Sequence, residues 1–342
     1  MKQRIYWIDN LKGFILLMVC FFHFGILCPF SIITGREGLL TFFFLSGYLF
    51  CDNKYATVKT YIKSKFQSLL LPYFTLSFLL AFFPFSLKTD FIFASEWIHT
   101  LNLPINIELY INTYIINTID IIQGYSFQDG TAPLWFVYTL FQVSIIYYII
   151  NKIPYQHIKF TLIIGSLFIG WYCNIYSIVL PFHLNTMFIS LFFYGLGHNS
   201  HMIIEKGNKI YYMIFFLVIF IFSYINGGFY DLRINELVPS LFIFLLYTTS
   251  GIAFFIILFK YISKNDNIVF GIFRNISRNA LIILSMHFFF AALFDSLFQA
   301  NYYFKLLFIL ICTIISIPIF RCYLYKLIGK EKISIKESLS IK

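Results

Sequence analysis

Three residues near the start of the chain have the chemistry and the spacing to act together: Asp9, Lys12 and His23. At 100° per residue, His23 falls about 20° past three full turns from Lys12 and about 40° short of four turns from Asp9, so a helix would carry all three on one face. Lys12 offers a compact point charge of the kind that holds phosphate. His23 lies eleven residues on, roughly 16 Å along a helix, and its imidazole exchanges a proton near neutral pH, as a general base must. The competing reading is a histidine that only hydrogen-bonds across a helix interface, and these residues alone do not choose between the two.

A second polar group gathers late in the chain. Arg278 and Asn279 precede an apolar stretch containing Ser285 and His287. His287 is nine residues from Arg278, roughly 13 Å of helix, so two parallel helices would bring His23 and His287 to similar depth and let them line one cavity. A purely structural role for His287 stays equally open. A third element is Phe42–Phe50, whose Ser46-Gly47 pair permits close helix approach. Behind it come Lys54, Lys59, Lys63 and Lys65, either a membrane-flanking basic cluster or a site for a phosphate-rich donor. His198 and His201 stand three apart with no carboxylate to complete a ligand set, so no metal is expected. No P-loop, dinucleotide fingerprint or nucleophile elbow occurs.

The elements that must position these groups are membrane helices. Sixty per cent of residues are apolar and only 12% charged, against about 25% charged in soluble domains. The net charge of +10 sits in short clusters between apolar runs, the pattern of membrane flanks rather than of a nucleic-acid surface. Charge-free stretches occur at 13–35, 38–51, 66–87, 130–151, 210–230 and 237–259. The run 160–204 divides at 172–184, and 279–294 and 306–320 complete the set. The segment 38–51 has only fourteen residues, about 21 Å of helix, but a crossing there is needed for consistent sides. The expected fold is therefore all-α and polytopic, with ten crossings and both termini cytoplasmic. That orientation puts 21 of the 25 Lys and Arg inside, as the positive-inside rule requires. Residues 1–330 form one membrane domain and 331–342 a cytoplasmic tail. The long outer connection 86–131 contains an apolar middle, 109–122, suited to lying on the membrane surface or capping a cavity.

Several strings resemble membrane acyltransferase family 3, whose members acylate sugars of bacterial envelope glycans. Ile8-Asp9, Lys12-Gly13 and His23 match its opening pattern. Phe43–Gly47, Leu69–Tyr73, Leu134–Phe136 and Ile276–Leu281 with His287 resemble later signatures, in order, from about residue 4 to 325. Lys12 stands where some members carry arginine, and Gln67-Ser68 where many have one. The resemblance implies an acetyl-CoA-dependent O-acetyltransferase of the bacterial inner membrane acting on a glycan or lipid-linked sugar. In that reading Lys12, Lys63 and Lys65 hold the CoA phosphates, and Asp9 orients Lys12 or a neighbouring group. His23 is the general base, and Ser46, Trp135, Ser285 and His287 line the acyl or acceptor pocket. The alternative is an exporter or flippase of such a glycan. Neither the oligomeric state nor the acceptor sugar is encoded legibly.

Overall fold

The computed structural model describes residues 5–24, 29–83, 104–124, 132–206, 210–227, 230–232, 237, 240–298 and 301–334. Among these the regular structure is helical throughout. Helix α1 is Tyr6–His23 and α2 Pro29–Tyr48; α3, Val58–Lys65, passes through a π turn, Phe66–Leu70, into α4, Leu71–Ala81. Next come α5 Ile105–Ile122, α6 Trp135–Asn151, α7 Gln156–Ile175, α8 Leu184–Asn199 and the short α9 His201–Lys206. The rest are α10 Ile210–Ile225, α11 Leu241–Ile262, α12 Ile268–Arg278, α13 Ala280–Leu297 and α14 Tyr302–Cys322.

Every apolar stretch read from the sequence carries a helix. By length and composition α7, α11, α13 and α14 can each cross a membrane. The short segment 38–51 gains length because α1 ends at His23 and α2 begins at Pro29, a residue preorganised for the first helical position. The 20 residues of α2 reach about 30 Å, the thickness of a bilayer core. The lysines and arginines at 1–4, 36, 88, 206, 209, 233 and 335–342, which carry part of the orientation argument, have side chains outside the described residues.

Helix α1 is the hub, packed on α2, α11, α12 and α13. Glycines set the closest approaches. A Cβ at Gly13 would stand 1.9 Å from the Phe273 carbonyl oxygen of α12. Gly47 of α2 meets the Tyr194 carbonyl of α8, and Gly197 of α8 meets that of Phe44, at 1.9 and 2.0 Å for the same hypothetical atom. The small Ser46-Gly47 pair thus lets two backbones touch. Facing outward are large apolar side chains such as Phe168 on α7, Phe215, Val218 and Phe222 on α10, and Leu310 and Ile315 on α14. That exposed apolar surface belongs against lipid.

Helix α5 occupies the apolar middle of the long connection, whose residues 84–103 and 125–131 lie outside the described set. It is tied to α4 by Tyr73 Oη donating to the Ile121 carbonyl at 2.9 Å and Tyr110 Oη donating to that of Phe82 at 2.7 Å. Its buried face is polar, with Glu108, Asn112, Thr113 and Asn117, while Ile107, Tyr110 and Ile122 are exposed.

Candidate active site

The α3–α4 junction is the first local feature that shapes the site. Pro72 has no N–H, so the helical bond to Ser68 O cannot form, and the chain widens into the π turn just before it. Ser68 and Leu69 of that turn line a cavity of about 1010 Å3. This is at the upper end of small-molecule sites. At its polar end, the mouth, the cavity is lined by Lys12, Arg278, Arg321 and Lys330, with the carboxylates Asp9 and Glu331. Its walls then turn apolar along Leu16 and Val19 of α1, Leu39 and Phe42 of α2, Val137 and Leu140 of α6, and Ile282 and Leu284 of α13. Ser46 lies in the lining.

One arginine is spent on structure, and the next lines the cavity. Arg274 grips Asp266 through both guanidinium ends, at 2.7 and 3.1 Å, and lies over the Tyr6 ring. That contact holds the Asp266 carboxyl below its ordinary range. Arg278, one turn later, ends α12 at the cavity. Asn279 then breaks the helix, its amide turned back to Asn275 at 2.9 and 3.0 Å, and α13 starts again toward His287.

The two histidines meet. Their ring centroids are 5.6 Å apart at a tilt of 40°, and Phe288 packs edge-on against His23 at 5.6 Å. His23, the last residue of α1, is exposed; His287 is buried, 1% accessible. His287 Nδ1 lies 2.7 Å from the Ile283 carbonyl oxygen. A carbonyl can only accept, so that nitrogen carries the hydrogen and Nε2 keeps its lone pair. Nε2 is buried with no hydrogen-bond partner among the described residues. The cavity lining stops one helical turn short of the pair, at Val19 and Leu284.

Other residues singled out from the sequence are placed differently. Asp9 and Lys12 share the mouth, within range of each other's charge. Lys63 is exposed and lies outside the lining. Lys65 also lies outside it, its ammonium over the Tyr61 ring at 5.4 Å and held below the ordinary lysine range by burial. Ser285 is fully buried, and its hydroxyl donates to Ile282 O of its own helix. Trp135 is buried and stacks on His183 at 5.8 Å rather than bordering the cavity. His198 and His201 are engaged by Tyr147, at 2.6 Å, and by the Tyr48 ring. Among the described residues no cluster of three metal-ligating side chains occurs.

Arg321 and Lys330 were not singled out by sequence reasoning. Each is one of a run of C-terminal basic residues, and only the return of α14 beside α13 brings them to the mouth. No curated protein and no solved structure matches the chain. A family model does: the acyltransferase domain of acyltransferase family 3 covers residues 5–321, nearly the whole length. That span takes in every helix that builds the cavity and both histidines, and the chain belongs to acyltransferase family 3, as a membrane acyltransferase.

Proposed function

We propose that this protein is a membrane-bound O-acetyltransferase of the bacterial inner membrane. It takes acetyl from cytoplasmic acetyl-CoA and places it on a sugar hydroxyl of an envelope glycan or glycolipid. The observation that carries this reading is the cavity itself. Its mouth has four cations to two carboxylates, and its apolar walls rise along the two helices that end in His23 and hold His287. A phosphate-rich head suits the mouth, and a thin, weakly polar arm suits the walls. Lys12 to His23 is roughly 16 Å of helix, a distance an extended arm can bridge while its head stays at the surface. In this reading the bundle crosses the membrane ten times, with both termini cytoplasmic.

The chemistry follows from the imidazole pair. His23 takes the proton from the acceptor hydroxyl as its oxygen attacks the thioester carbonyl carbon. The tetrahedral intermediate collapses with cleavage of the carbon–sulfur bond, leaving an ester on the sugar. The proton held by His23 passes to the departing thiolate, giving free CoA. His287, fixed in one tautomer by the Ile283 carbonyl, is a positioning residue that keeps the His23 ring in place. Lys12, with Asp9 one turn before it, holds donor phosphate at the mouth.

The test supplies labelled acetyl-CoA to membranes containing the protein and an envelope glycolipid extract. Base-labile label in the glycan fraction is expected, with its rate of appearance about 100-fold or more lower in His23→Ala. Donor binding without any label transfer, by protein that still moves glycan across the bilayer, would return the exporter reading. The orientation has its own check: single cysteines at Asp120 and Lys59 should label from opposite sides of intact cells.

A further inference from the structure

The chain beyond α14 is fastened down. After Cys322 it turns on itself through three backbone bonds, Leu327 N–H to Leu324 O, Gly329 N–H to Lys326 O and Lys330 N–H to Tyr325 O. Ile333 N–H then returns to the Arg321 carbonyl. The strap so closed, residues 323–333, is pinned at two points to the π turn and the start of α4. Thr75 Oγ1 donates to the Leu327 carbonyl at 2.6 Å. Gly329, at φ 59°, presses its backbone on the Gln67 carbonyl, where a Cβ would stand 2.2 Å from the oxygen. Both the backbone angle and the space call for glycine. Between the pins Ile328 is 1% exposed.

An apolar plug would need no more than Ile328. The strap does more, because the glycine turn sends the next residues, Lys330 and Glu331, into the cavity wall, where Arg321 at the strap's root also lies. Arg321 Nε is buried with no hydrogen-bond partner among the described residues, a donor held in the wall. Arginine forks bidentately onto phosphate, and lysine meets it as a point charge. A strap bringing one of each to the same mouth is built for a multiply charged phosphate ligand.

We propose that the C-terminal strap is a structural half of the donor site. Arg321 and Lys330 hold the phosphate groups of the donor's nucleotide end, and the strap thereby sets the preference for a phosphorylated donor over the bare thioester arm. This rests on the donor reading above. The expected boundary at residue 330 falls inside the strap, so part of what reads as tail in the sequence belongs to the site.

The experiment uses the full-length protein in detergent and two donors, acetyl-CoA and S-acetylpantetheine, which lacks every phosphate. CoA binding by titration is the direct readout. The double variant Arg321→Gln, Lys330→Gln should weaken CoA binding about 10- to 100-fold and flatten its salt dependence. Turnover of S-acetylpantetheine should fall far less than that of acetyl-CoA, because that donor carries no phosphate for either cation to hold. Gly329→Ala, with both cations intact, should move CoA binding in the same direction by displacing the strap. Should that variant fail to fold, the double variant alone decides. Equal losses with both donors would make the strap a mere packing element and overturn the proposal, as would unchanged CoA binding. A wild-type protein that binds no CoA brings down the donor reading and the strap together; unchanged binding in the double variant brings down the strap alone.

Discussion

The two ends of α1 solve different problems. At the Lys12 end, four cations from α1, α12, α14 and the strap surround a wide mouth. At the His23 end, two imidazoles meet at 5.6 Å among phenylalanines. Charges that hold phosphate act through space, so neighbours can share the load and the loss of one is partial. A base acts at one atom, and no neighbour covers for it unless it reaches the same atom. Under the proposed function, redundancy at the mouth and singularity at the far end suit a donor-binding head coupled to a reaction centre.

The sharpest way to break this contrast is at His23. A general base contributes roughly 10² to 10⁴ in rate. His23→Ala should lower turnover by that factor and leave CoA titration unchanged. His23→Gln should be no better, because glutamine can keep a hydrogen bond but cannot take the proton. His287→Gln should be milder, since its role is to hold the neighbouring ring, and it should widen the pH profile of turnover rather than abolish it. Near-normal turnover in His23→Gln would show that the far end is structural and the comparison empty.

Next in size are the mouth residues. Removing one charge-assisted phosphate contact typically costs about 1.5–3 kcal/mol, roughly tenfold or more in affinity. Lys12→Ala and Arg278→Gln should each raise the Michaelis constant for acetyl-CoA on that scale with turnover nearly unchanged, the sign of lost uniform binding. Lys59→Ala and Lys63→Ala should change it less than about twofold, because both side chains are exposed away from the cavity and surface charges are screened over about 8–10 Å. Equal effects from Lys12 and Lys63 would mean that the basic patch acts as a diffuse field and that the mouth is not a site.

The same contrast explains what could be read from the sequence. The histidine pair was legible because helical periodicity fixes a face and rise per residue fixes a depth, and both rules hold without knowing any neighbour. Asp9, Lys12 and Ser46 reached the cavity for the same reason. Lys63 and Lys65 lie outside the cavity lining, although Lys65 is near enough to Lys12 to act on its charge; a phosphate-binding lysine and a membrane-flanking lysine have the same sequence signal. Arg278 had a visible position but no visible role, since Arg274 one turn earlier looks alike and is spent on Asp266. Arg321 and Lys330 depend on how α14 returns and how a glycine turn sits on Gln67, which no periodicity encodes. In α5 the apolar composition was plain, but its polar face is the buried one. That arrangement follows from lipid outside rather than water, and amphipathicity alone does not assign it.

The smallest effect on turnover is expected at a histidine outside the pair. His183, in the turn between α7 and α8, is buried against Trp135, and burial holds its imidazole down to about 4. An unfolded chain titrates histidine near 6.5. Between those values the unfolded state binds a proton that the folded state refuses, so stability rises with pH across that window and is flat on either side as far as this residue is concerned. The full span amounts to about 3 kcal/mol as an order of magnitude. His183 sits at φ 56°, a left-handed conformation that asparagine tolerates better than most residues, so His183→Asn removes the titration with least strain. Melting temperatures of wild type and variant, compared from pH 4.5 to 7, should show a slope in the wild type that the variant loses, while turnover at pH 7 stays close to normal. A lost slope with intact turnover marks His183 as a histidine spent on structure, the role the sequence left equally open for His23 and His287. A large loss of turnover in His183→Asn would instead extend the reaction centre to the Trp135 side of the bundle and end the simple two-ended picture.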